Sequence, residues 1–168
     1  VGDDKPQIVN IEVINVGGGA DFVDLTSNQF TYKNVTINGG SGNDVIWTND
    51  GNDSINGDSG NDIISGWEGN DKIRGGSGDD VLRGDGGDDQ IKGNGGNDTL
   101  IGGAGIDLLI GGSGDDLYII NGATEIDKFL TDDGIDTVNS RASYTLGIQQ
   151  ENLILRAGKS SDGIGNKL

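Results

Sequence analysis

Between residues 39 and 119 the apolar positions recur with a period of nine. Cut from Gly39, the chain reads GGSGNDVIW, TNDGNDSIN, GDSGNDIIS, GWEGNDKIR, GGSGDDVLR, GDGGDDQIK, GNGGNDTLI, GGAGIDLLI and GGSGDDLYI, with no insertion or deletion. Position eight is Ile or Leu in eight blocks and Tyr118 in the last. The last three positions of each block alternate, with the apolar residue between more polar neighbours, which predicts a three-residue strand showing one side chain inward. The preceding six positions form a turn. Glycine stands at position four in all nine blocks and at position one in eight, Thr48 being the exception. These glycines are expected to admit positive φ, where a Cβ would clash. Two blocks then make one coil of 18 residues, and each strand pairs in parallel with the strand two blocks away. The Ile and Leu residues of both sides meet as a thin inner seam. The fold class this predicts is all-β, a parallel β-roll or β-solenoid with irregular β caps.

The flanks are less regular. In residues 1–38, Val16 to Asp24 keep an Asp at the sixth place (Asp21) and an apolar Val23 at the eighth. Phe30 to Ile37 alternate like a strand out of phase with the main array. Residues 1–38 are therefore expected to cap the roll with one or two irregular coils, and Asp21 is a candidate further ligand. Beyond Ile119 the repeat is expected to stop, and residues 120–168 to form a C-terminal β flank with strands over Thr137–Leu146 and Asn152–Leu155. Positions seven and nine turn apolar late in the array (Ile101, Leu108, Ile110, Leu117 and Ile119), a strip that the C-terminal strands are expected to cover. The start at Val1, without Met, and the ending Gly163 to Leu168 read as a piece of a longer chain, with the rest of the parent protein upstream and downstream.

Composition sharpens the picture. The chain has 168 residues with 33 Gly, 1 Pro and no Cys, Met or His, and is only 32% hydrophobic. So little apolar bulk cannot offset the backbone entropy of so many glycines, and something besides apolar burial must hold the fold. The formal net charge is −17. That sign excludes nucleic acid as a partner and disfavours anionic lipid surfaces, and no apolar run is long enough for membrane insertion. The acids are not scattered. Position six is Asp in all nine blocks: Asp44, Asp53, Asp62, Asp71, Asp80, Asp89, Asp98, Asp107 and Asp116. Capping of turns alone would accept Asn or Ser there; position five does vary, through Asn, Asp and Ile106. Stacking sets the position-six carboxylates of every second block about 4.8 Å apart, where they repel unless a hard cation lies between them. Oxygen donors alone favour Ca²⁺ over Mg²⁺, which demands tighter octahedra, and over Zn²⁺, which prefers His and Cys.

The blocks GGSGNDVIW and GGSGDDLYI closely match the repeat of the RTX (repeats-in-toxin) family, which this chain resembles over residues 39–119. The resemblance implies a right-handed roll with Ca²⁺ between turns two blocks apart. One turn gives the carbonyls of positions two and four with its Asp, and the other gives those of positions one and three with its Asp. Carried onto this chain, Gly40, Gly42 and Asp44 share an ion with Gly57, Ser59 and Asp62. On the opposite side Asn49, Gly51 and Asp53 face Gly66, Glu68 and Asp71. The next pairs are Asp58, Gly60 and Asp62 with Gly75, Ser77 and Asp80, then Trp67, Gly69 and Asp71 with Gly84, Gly86 and Asp89. The last three are Gly76, Gly78 and Asp80 with Gly93, Gly95 and Asp98; Asp85, Gly87 and Asp89 with Gly102, Ala104 and Asp107; and Asn94, Gly96 and Asp98 with Gly111, Ser113 and Asp116. Seven ions would bring +14 against the formal −17. The resemblance further implies a secreted bacterial protein exported unfolded by type I secretion. The flank after Ile119 resembles that of large cell-surface adhesins; the accessory domain of a secreted hydrolase or toxin is the alternative.

Catalysis is not expected. Without His or Cys the usual nucleophile and base arrangements are missing, and the carboxylates would be taken by metal. Ice binding needs ranks of Thr, and position three never is Thr. Trp47 and Trp67 suggest a sugar-binding platform, although such residues more often seal an end or shield a strand edge. A monomer is expected, with calcium as its partner.

Overall fold

The computed structural model describes residues 13–27, 33–121, 128–130, 134–140 and 152–155. Parallel strands alternate between two facing sheets. The first sheet takes β1 (Val13–Gly18), β3 (Thr36–Ser41), β5 (Ser54–Ser59), β7 (Lys72–Ser77), β9 (Gln90–Gly95), β11 (Leu108–Ser113) and β13 (Lys128–Leu130) in that order. The second takes β2 (Phe22–Asp24), β4 (Val45–Trp47), β6 (Ile63–Ser65), β8 (Val81–Gly86), β10 (Thr99–Ala104), β12 (Leu117–Ile120), β14 (Thr137–Ser140) and β15 (Asn152–Leu155). Among the described residues no helix is long and apolar enough to cross a membrane. The predicted all-β parallel roll is the fold.

The seam is one residue wide. Ile37, Ile46, Ile55, Ile64, Ile73, Leu82, Ile91, Leu100, Leu109 and Tyr118 have no exposed surface, each stacked on its counterpart one coil away. Full burial of such a side chain contributes about 1.5–3 kcal/mol. One contributor per nine residues leaves the turns to supply the rest.

Most strands run six residues, not the three expected. The ladder continues through positions one to three of the next block, as in Asn56↔Arg74, Asp58↔Gly76 and Ser59↔Ser77. The glycine at position one is the unpaired residue between the two ladder segments.

Both flanks depart from the sequence reading. Residues 33–38 are in phase with the array, not out of it. Asn34 lies at position five, Val35 at the aspartate position and Ile37 in the seam, and Val35 N–H donates to Asp53 Oδ1 at 2.8 Å as an aspartate's would. The Phe30–Tyr32 part of that expected strand lies outside the described residues. The nine-residue period stops at Ile119, but the coiling goes on beyond it. Val138 enters the seam opposite Tyr118, and Asp116 N–H donates to Asp136 Oδ1 at 3.0 Å across an offset of 20 residues in place of 18. The described C-terminal strands do not lie over the apolar strip. β13, β14 and β15 extend the two sheets end-on. The strip needs no such cover, because in-register neighbours such as Ile101 and Ile119 flank one another and leave each only half-exposed.

Candidate metal centre

The aspartates form two buried columns, one beside each sheet. Every one from Asp44 to Asp116 is 1–3% exposed. One carboxylate oxygen in each is committed. The Oδ1 of Asp62, Asp71, Asp80, Asp89, Asp98, Asp107 and Asp116 accepts the backbone N–H of the aspartate one coil earlier, at 2.7–2.8 Å. In six of them the other oxygen is left over. Oδ2 of Asp44, Asp62, Asp71, Asp80, Asp89 and Asp98 is buried without a hydrogen-bond partner among the described residues. A buried acceptor without a donor costs about 1–3 kcal/mol, and more when it is charged.

The surroundings of that oxygen are also acceptors. A Cβ built on Gly39 would lie 2.6 Å from Asp44 Oδ2 and 2.8 Å from the Gly57 carbonyl oxygen. Gly57, Gly84 and Gly93 likewise sit between their own aspartate's Oδ2 and the carbonyl of Gly75, Gly102 or Gly111 in the next coil. Gly66, Gly75, Gly102 and Gly111 also lie against the Oδ2 of their own aspartate. Position one is therefore glycine for want of room, and not, as expected, for a positive φ; none of these residues has one. The left-handed positions are four and two. Gly42, Gly51, Gly60, Gly69, Gly78, Gly87 and Gly96 have φ between 123° and 144°, and Gly40, Asp58, Trp67, Gly76, Asp85 and Asn94 between 71° and 127°. Asn49 alone of the predicted position-two residues stays out of that region. The position-three carbonyls of Ser59, Glu68, Ser77, Gly86, Gly95, Ala104 and Ser113 each accept the N–H of the position-four glycine one coil earlier, at 2.7–2.9 Å. A carbonyl has two lone pairs, so each retains one for another partner.

Thr48 makes one slot different. Its buried side chain occupies the space glycine leaves elsewhere, and its hydroxyl meets the Gly66 carbonyl at 2.7 Å and the Asp53 carboxylate.

The electrostatics follow from burial. Asp71 and Asp89 are pushed from 3.8 to about 7, first by desolvation, against which the N–H of Asp53 or Asp71 pulls down while neighbouring carboxylates push further up. Asp80 and Asp98 rise to about 6 for the same reasons. Asp53 and Asp62 also rise, led by burial. Such carboxylates must either hold protons or face a cation. Among the described residues no three carboxylates converge, so a cation here must draw on turn carbonyls for the rest of its shell. A buried carboxylate oxygen beside the position-one carbonyl of the next coil offers hard oxygen donors of the kind Ca²⁺ accepts.

A family model for the RTX calcium-binding nonapeptide repeat matches four times, at residues 36–64, 57–91, 65–100 and 92–119. Together the matches cover residues 36–119, which is 84 of the 168 residues. The chain belongs to the RTX calcium-binding repeat family. Comparison with curated proteins gave no match.

Three features extend the sequence reading of this RTX array. The first is Asp136, 1% exposed and stacked beyond Asp116. Its signal was present, because Gly134-Ile135-Asp136-Thr137-Val138 repeats the form of Gly105-Ile106-Asp107-Leu108-Leu109. The second is Asp21, already a candidate ligand, which stacks on Asp44 with its N–H donating to Asp44 Oδ1 at 2.8 Å across 23 residues. The third is position five, whose Asn and Asp side chains form a ladder of opposite sense: Asn43 accepts from Asn61 N–H, Asn61 from Asp79 N–H, and Asp79 from Asn97 N–H. The need for an acceptor there, which Asn and Asp both satisfy, explains why that column varies between them.

Proposed function

We propose that this chain is a calcium-triggered folding module, with Ca²⁺ seated between turns two repeats apart and each ion held by two column aspartates and by the carbonyls of positions one to four. The single observation that supports this most is the unpartnered, buried Oδ2 of one aspartate after another. Seven ions fill the regular pairs from Asp44/Asp62 to Asp98/Asp116. The stacked pairs Asp21/Asp44 and Asp116/Asp136 extend the array at its two ends. The Asp53/Asp71 slot, already holding the Thr48 hydroxyl, has the lowest affinity of the set.

The mechanism is linkage. Where free calcium is scarce, the acidic glycine-rich chain stays expanded; where calcium exceeds the dissociation constants, binding free energy becomes folding free energy. This suits export as an unfolded chain by type I secretion and folding outside the cell, as a stiff structural segment of a cell-surface adhesin and not as an enzyme. An accessory domain of a secreted hydrolase or toxin would use the same switch. Far-UV circular dichroism with calcium and after chelation by EDTA is the test, with bound calcium counted by atomic emission. Folding on calcium addition is expected; a native β signal that survives complete chelation at neutral pH sinks the proposal.

A further inference from the structure

The second sheet is interrupted on its outer face. β4 and β6 end after three residues at Trp47 and Ser65, whereas β8 and β10 run for six. After β4 come Thr48 and Asn49, the latter outside the left-handed region that continues the ladder elsewhere. After β6, Glu68 makes only an isolated bridge to Gly86. The result is a cleft of about 440 Å³ lined by Thr26, Trp47, Ser65, Trp67, Arg83 and Asp85. These residues come from four successive coils, so the cleft runs roughly 14 Å along the stack.

Its polar groups are fixed. Ser65 Oγ donates to Asp85 Oδ2 at 2.5 Å, and Arg83 Nε and Nη2 donate to Asp85 Oδ1 at 3.2 and 2.6 Å. Trp47 is braced edge-to-face by Phe22, with ring centroids 5.3 Å apart. Both indoles nevertheless stay open to solvent, Trp47 at 37% and Trp67 at 49%. Trp67 also holds a φ of 71°, at a position that the other blocks fill with Gly, Asp or Asn. That conformation is strained for a bulky residue. A half-exposed indole recovers little of this through burial.

We propose that this cleft binds neutral hexopyranose units of an oligosaccharide. The flat C–H face of a pyranose stacks on an indole, while its ring hydroxyls need donors and acceptors fixed side by side, as the Arg83–Asp85 pair and Ser65 are. The ion pair is neutral as a whole and sits in a chain of formal charge −17, which turns acidic sugars away.

The test titrates the whole chain in calcium with maltohexaose, cellohexaose, mannohexaose and chitohexaose, read by tryptophan fluorescence and calorimetry. At least one is expected to bind saturably at millimolar concentration or below, and Trp67→Gly to weaken it about tenfold or more. Position two offers calcium only its backbone carbonyl, which glycine keeps while removing the strained φ, so the same variant should fold at a calcium concentration no higher than the parent chain. Absence of binding by all four sugars, or binding that Trp67→Gly leaves unchanged, overturns the proposal. So does a Trp67→Gly variant that needs more calcium to fold, which would make the indole a shield for the sheet edge.

Discussion

Replacing Asp80 by Asn should change stability in opposite directions with and without calcium. Asp80 stands mid-column, 1% exposed, with Oδ1 accepting from Asp62 N–H at 2.8 Å and Oδ2 unpartnered. Asparagine keeps the Oδ1 acceptor and loses the charge. Without metal that is a relief. The rise from 3.8 to about 6 corresponds to at most ~3 kcal/mol at neutral pH, and solvent screening across so narrow a stack reduces it to ~1–2 kcal/mol. With calcium the same change removes a ligand from two proposed sites, Asp62/Asp80 and Asp80/Asp98, and leaves buried cationic charge short of its partner, at a cost of about 3 kcal/mol. Trimethylamine N-oxide titrations in EDTA and urea titrations in calcium, both followed by circular dichroism, measure the two arms. Asp80→Asn should need less osmolyte to fold in EDTA and less urea to unfold in calcium. A loss of stability in both arms would refute the reasoning, because it would mean that the carboxylate acts as a metal-independent cap of its turn.

The same carboxylates predict that acid substitutes for metal. Unfolded, they titrate near 3.8, whereas in the metal-free fold Asp80 and Asp98 titrate at about 6 and Asp71 and Asp89 at about 7. The folded state therefore binds more protons in that interval; its stability is fullest below about pH 4 and drains away as pH rises through 6 to 7. Circular dichroism in EDTA should show β structure at acidic pH that fades by neutrality, and its absence throughout would contradict these shifts. Two alanine substitutions should show that a turn glycine is needed both with and without a positive φ. At Gly60, φ is 127° and a Cβ would collide with the Gly42 carbonyl oxygen, so Gly60→Ala should cost about 3 kcal/mol or more by urea melt, whether folding is driven by calcium or by osmolyte. At Gly57, with no positive φ, a Cβ would still collide with Asp62 Oδ2 and the Gly75 carbonyl oxygen, so Gly57→Ala should weaken osmolyte-driven folding as well as raise the calcium midpoint.

The strict period was enough to read the roll, because Ile, Gly and Asp each recur for a separate physical reason and all three keep the same phase. What escaped was where one reason lapses. Residues 33–38 carry Val35 in the aspartate column and Lys33 where a glycine usually sits, so the coil hid although Asn34 and Ile37 kept its register. Asp136 was displaced by an offset of 20 residues, a length that surface loops absorb at small entropic cost but that breaks a period of nines. Position one was assigned to the wrong cause, since no sequence distinguishes a glycine needed for its φ from one needed for its emptiness. The position-five ladder was masked because either Asn or Asp can accept the hydrogen bond, and tolerance of both looks like indifference.

A seam one side chain wide means that no coil touches any but its immediate neighbours. Pulled from its two termini, such a stack has no central kernel to rupture. It would peel from an end, one coil at a time, each releasing 18 residues, or roughly 60 Å of chain. A tether built this way gives length gradually under load and, with calcium outside, rewinds onto whatever coils remain.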